Sequence, residues 1–135
     1  MIAAENGHPE AQYEMGRMLM NGDGLPQDYD EAARWFRLSA EQDTSWAQCN
    51  LGILYANGLG VPQNWGETVK WWHLAAAQGH LVSQFNLGQW YSEYAQDFEI
   101  AAEFYRQAAT QGHERAAREL ESLYQEGKLL RGERE

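Results

Sequence analysis

The chain has 135 residues, 44% hydrophobic and 22% charged, with 13 Gly and only 3 Pro, which fits one folded domain and excludes a disordered segment. Its 20 acidic against 10 basic side chains give a formal charge of −10, which opposes phosphate binding, leaves no Lys/Arg stripe for nucleic acid and favours basic partners. A single cysteine, Cys49, excludes an internal disulfide framework and a cysteine-built zinc site, and no apolar run reaches the roughly 20 residues that span a bilayer.

The chain is organised by repetition. The stretch 47–79, AQCNLGILYANGLGVPQNWGETVKWWHLAAAQG, has imperfect copies on both sides, and copies opened at Ala11, Ala47, Ser83 and Ala116 are spaced by 36, 36 and 33 residues. A fixed period of this length marks stacked helical repeats. The expected division is a partial repeat end at 1–10, repeats at 11–46, 47–82 and 83–115, and a terminal partial repeat with its tail at 116–135, all in a single domain.

Residues 2–7 read as the last turn of a helix closed by Gly7. The segment IAAENGH resembles LAAAQGH at 74–80 and QAATQGH at 107–113, so the chain is expected to begin inside a repeat. MIAAENGHPEA has neither the basic nor the apolar segment of a secretory signal, which sets a cytoplasmic expectation unless an export signal lies upstream. Helix A of the first copy is predicted over Pro9 to Asn21, with Ala11, Met15 and Leu19 on one face and Met18 beside them. Gly16, Gly52 and Gly88 share one repeat position, where a glycine inside a helix predicts the close approach of a neighbour.

The loops NGDGLPQ at 21–27 and NGLGVPQ at 57–63 lead to Asp28 and Asn64 as N-caps, with Glu31 and Glu67 completing capping boxes. In the third copy Tyr94-Ala95-Gln96 forms a loop three residues shorter, and Asp97 is the cap. Helices B are predicted over Tyr29 to Gln42, Trp65 to Gln78 and Phe98 to Gln111. Aromatics recur at Trp35/Trp71/Phe104 and Phe36/Trp72/Tyr105, with small residues at Ala40/Ala76/Ala109, a pattern of core packing rather than a cofactor or sugar platform. A last helix is expected from Ala116 to Glu126, with Leu129 and Leu130 folding back over it.

These residues resemble the Sel1-like repeats, relatives of tetratricopeptide repeats. The second copy carries the pattern in Ala47, Leu51, Gly52, Tyr55, Gly58, Gly60 and Val61, then Trp71, Ala75, Ala76 and Gly79. The first copy departs at Met15, Leu19, Leu25 and Asp43, and the third lacks the glycine loop. The resemblance implies an all-α, right-handed α-solenoid of antiparallel helix pairs, with A helices lining a concave groove that binds a protein or peptide partner. It places Tyr13, Arg17 and Met20, then Trp46, Cys49 and Ile53, then Phe85 and Gln89, and finally Arg118 on that face.

Trp46 stands out because Glu10, Val82 and Arg115 hold its position in the other copies, so the repeat does not require an aromatic there. It is read either as a binding anchor or as a cover for the turn Asp43-Thr44-Ser45. His8, His80 and His113 open A helices a repeat apart, too far from one another to share a metal, and no catalytic constellation or cofactor motif is present. The expectation is a non-catalytic adaptor with no cofactor and no metal. The alternatives are a small-molecule hydrolase, which the cysteine-rich relatives suggest although their paired cysteines are missing, and an inhibitor or immunity protein that sequesters one enzyme.

Overall fold

A computed structural model of the chain describes residues 2–130. Among the described residues there are eight α-helices, one π-helical turn and no strand: α1 (Ile2–Glu5), α2 (Pro9–Asn21), α3 (Tyr29–Ala40), α4 (Ser45–Asn57), α5 (Trp65–Ala77), α6 (Leu81–Trp90), the π turn (Tyr91–Ala95), α7 (Phe98–Thr110) and α8 (Glu114–Gln125). The fold is all-α, as the pattern predicts. Two compact units meet in sequence between His80 and Leu81.

In the first unit α2 pairs with α3 and α4 with α5, as A and B helices of successive repeats. Asp28 and Asn64 cap α3 and α5 by accepting from the backbone N–H of Glu31 and Glu67, both at 3.1 Å. The same cap residues donate their own N–H to Leu19 and Tyr55 carbonyls at 2.9 Å, which ties the start of each B helix to its A helix. Helices B end one or two residues earlier than predicted, because the chain must turn through positive φ at Asp43 (68°) and Gly79 (86°) before the next A helix. Asp43 thus adopts the left-handed conformation that a glycine supplies in the second copy.

The core of this unit is built from sockets. A Cβ added at Gly16 would lie 2.6 Å from the Phe36 ring, and one at Gly52 would lie 2.6 Å from the Trp72 ring, so each glycine makes room for the aromatic of its own B helix. Met15, Leu19, Ala32, Ala33, Ala47, Leu51 and Leu54 share one buried cluster with Phe36. Full burial of a side chain of that size contributes about 2 kcal/mol. Trp71 and Trp72 are both buried and therefore offer no open platform. Their indole N–H groups donate to Glu67 Oε1 at 3.2 Å and to the Cys49 carbonyl at 3.1 Å.

The second unit repeats the plan with α6, α7 and α8. A Cβ added at Gly88 would lie 2.6 Å from the Tyr105 ring, and Tyr105 shares one buried cluster with Phe85, Ala101, Ala102, Ala108, Ala116 and Leu123. The expected loop at Tyr94-Ala95-Gln96 is instead a widened helical turn: the chain runs on through Tyr91–Ala95 and stops at Gln96, whose φ is 54°. Asp97 N–H still reaches the Tyr91 carbonyl at 2.9 Å and its side chain still caps Ile100 N–H at 3.2 Å. The missing residues are absorbed without loss of either tie. The last helix starts at Glu114, earlier than predicted, because His113 Nδ1 accepts from Ala116 N–H at 2.9 Å and caps it. Leu129 folds onto the core as expected, whereas Leu130 is 85% exposed.

Candidate interaction face

The A helices of the first unit, α2 and α4, hold six of the predicted site residues. Tyr13, Arg17 and Met20 on α2 are half-buried, and so is Ile53 on α4. Tyr13 leans on Phe36 with ring centroids 6.0 Å apart, and burial pushes its hydroxyl pKa up. The Arg17 guanidinium bonds Glu14 at 3.0 Å and reaches Asp23 at 3.5 Å. Its pKa is raised chiefly by the hydrogen bond to Glu14, so it stays cationic but is already neutralised by neighbours.

Trp46, in the first turn of α4, is 49% exposed. Its ring meets His80 edge-on, with centroids 4.3 Å apart and planes at 90°. It therefore has a partner within the fold and a large remaining open surface. Cys49 does not share this exposure: at 1% it lies under the face, where its carbonyl receives the Trp72 indole. It presents no surface to a partner. Asn50, which the sequence reading did not single out, lies beside Tyr13 and lowers the pKa of its hydroxyl against the stronger effect of burial.

In the second unit the same positions are filled differently. Phe85 is buried at 7%, with His113 stacked on its ring at 4.4 Å and the Arg115 guanidinium 5.1 Å from its centroid. It too is covered rather than presented. Gln89 is half-buried and Arg118 is exposed. Arg115 also lies 3.9 Å from Glu119.

The three helix-opening histidines do separate work: His8 precedes α2 without a side-chain cap, His80 packs on Trp46, and His113 caps α8. Among the described residues no group of three or more His, Cys, Asp or Glu is placed to hold a metal ion. No helix among them is long and apolar enough to cross a membrane.

The model of the Sel1 repeat family matches residues 9–44, 47–80 and 81–113. The chain is a Sel1-repeat protein. Each match spans one A helix and the following B helix, so the family unit coincides with the socketed pairs described above. Among solved structures, this Sel1-repeat protein is similar to a protective antigen of uropathogenic Escherichia coli that displays an SLR fold, with 40% identity and a TM-score of 0.89 over 93% of this chain. It spans only 27% of that antigen's length. It is also similar to a Sel1 repeat protein from Oxalobacter formigenes, with 41% identity and a TM-score of 0.79, over 89% of this chain and 92% of the other. The comparison with curated proteins finds no match. Sel1 repeats typically mediate protein–protein interactions, and proteins of this fold are generally non-catalytic.

Proposed function

We propose that this Sel1-repeat protein is a non-catalytic interaction module that binds a peptide or protein surface on the exposed face of α2 and α4. The observation that carries the reading is Trp46. It is half exposed in a position that the repeat fills elsewhere with Glu10, Val82 and Arg115, so packing alone does not account for an indole there. A large, stiff aromatic with few rotamers loses little entropy when a partner covers it, and such residues dominate interface energetics. Met20, Tyr13 and Ile53 add half-buried apolar surface on the same pair of helices. Phe85 and Cys49, being buried, contribute through the support of their helices and not by contact.

The test is capture of partners from the source cells on immobilised wild type and on a Trp46→Ala/Ile53→Ala variant, with circular dichroism to confirm that the variant folds. Loss of at least about tenfold in retained partner is expected if Trp46 is an interface anchor. Equal retention by the folded variant rejects this face.

A further inference from the structure

The electrostatics of the first unit specify the partner further. Residues 1–80 hold ten Asp or Glu against four Lys or Arg. Three of the four cations, Arg34, Arg37 and Lys70, lie on the B helices α3 and α5. Arg34 and Lys70 pair there with Glu31 and Glu67 at 3.0 and 3.2 Å, and Arg37 lies over the Tyr55 ring. The A helices are left with Arg17 alone, already engaged by Glu14 and Asp23. The whole of α4, SWAQCNLGILYAN, carries no charge.

Against this background two carboxylates are conspicuous. Glu10 is exposed in the first turn of α2, at the repeat position that Trp46 holds in α4. Asp43 is exposed in the turn that leads into α4, three residues before Trp46. Neither has an ion pair with a described residue. An exposed indole, with one carboxylate at the same repeat position on the other A helix and a second three residues before it, is a combination that attracts a cationic side chain: the ring supplies a cation–π contact and the carboxylates supply the field.

We infer that the α2–α4 face takes a basic segment of a protein partner, with an Arg or Lys side chain laid on the Trp46 indole in the field of Glu10 and Asp43, and apolar side chains against Met20 and Ile53. This rests on the reading of that face as the interface and adds the chemistry of its occupant. The partner's cation replaces water on the ring, and the uncharged α4 lets its apolar residues approach without burying a charge of this chain.

The experiment uses three short fluorescein-labelled peptides of alternating Leu and Arg, Leu and Gln, or Leu and Glu, titrated by anisotropy with the full chain. The Leu/Arg peptide is expected to bind most tightly, with an affinity that falls as salt rises. Trp46→Ala should weaken it by about two- to fivefold, the scale of one exposed cation–π contact. Glu10→Gln/Asp43→Asn should weaken it and flatten the salt dependence, while Asp30→Asn/Glu99→Gln, which removes the same net charge from B helices, should change little. Equal losses in the two charge variants, or no measurable binding of the Leu/Arg peptide, overturn the inference. If Trp46→Ala reduces binding of all three peptides alike and the charge variants change nothing, the interface stands and the basic occupant fails. If Trp46→Ala/Ile53→Ala leaves Leu/Arg binding intact, both fail.

Discussion

Gly52 shows how much a single hydrogen atom decides in this chain. An added methyl group would lie 2.6 Å from the Trp72 Cδ1 and Nε1 atoms and 3.3 Å from the Thr68 carbonyl. The ring has no free direction, because its Nε1 is bonded to the Cys49 carbonyl at 3.1 Å and the residue is buried. Ala would gain about 1 kcal/mol in helix propensity, yet overpacking of a tight core costs about 1–3 kcal/mol and the indole hydrogen bond is strained besides. Gly52→Ala is therefore expected to lower stability by about 1–2 kcal/mol, read as a lower urea midpoint with an unchanged slope. A midpoint at or above wild type would show that the socket has slack. This position was legible in the sequence, since Gly16, Gly52 and Gly88 recur where a helix interior disfavours glycine. Trp46 was equally visible as an aromatic without counterparts. The burial of Cys49 and Phe85 was not, because the positions were assigned from a related repeat whose A helices present other side chains, whereas here His113 and Arg115 cover Phe85.

At the level of helices, glutamine pairs fasten each B helix end to its own A helix start. Gln42, Gln78 and Gln111 donate to the side-chain oxygens of Gln12, Gln48 and Gln84 at 2.7, 3.0 and 2.7 Å. Gln12 and Gln48 pass the bond on to the carbonyls of Ala4 and Ala40, at 3.3 and 3.2 Å, in the helix that precedes them. Gln48 is buried, so its removal leaves a void, strips the Ala40 carbonyl of one of its two donors, the Asp43 N–H at 3.0 Å being the other, and takes the acceptor from the Gln78 amide. Gln48→Ala should cost about 2–3 kcal/mol, measured in the same denaturation experiment; a loss near zero would mean that water restores both bonds. Nothing in the local sequence announces these pairs. A glutamine at a helix start is unremarkable by itself, and its partner stands some thirty positions on, within reach only after the two helices have folded together. The caps at Asp28 and Asn64 were readable because donor and acceptor lie within one turn, but the boxes expected there form only by half: the cap N–H groups go to the Leu19 and Tyr55 carbonyls, while Glu31 and Glu67 pair with Arg34 and Lys70. The π turn at Tyr91–Ala95 was not readable, because a three-residue deletion does not say whether loop or helix absorbs it.

For the whole molecule, two imidazoles, the half-buried His73 and the buried His80, set a pH dependence. Burial lowers the pKa of His73 and of His80, so the folded chain binds fewer protons than the unfolded one once the pH drops toward their ordinary value of about 6.5. Stability from these groups is present above that value and is lost as the pH falls through it, until the folded-state pKa values are passed. Melting at pH about 5.5 should therefore come at a lower temperature than at pH about 7.5, and His73→Gln/His80→Gln should shrink the difference. An unchanged difference would exclude the two histidines as its source. The repeated architecture followed from the period alone, and the family match falls on the same three copies. The sockets also bear on how the chain acquires its structure. Each glycine and the ring it accommodates belong to one helical hairpin, Gly16 with Phe36, Gly52 with Trp72 and Gly88 with Tyr105, so the contact closes a short loop at small entropic cost. Any of the three hairpins can then act as the nucleus, and a substitution that slows one leaves two other routes into the native state.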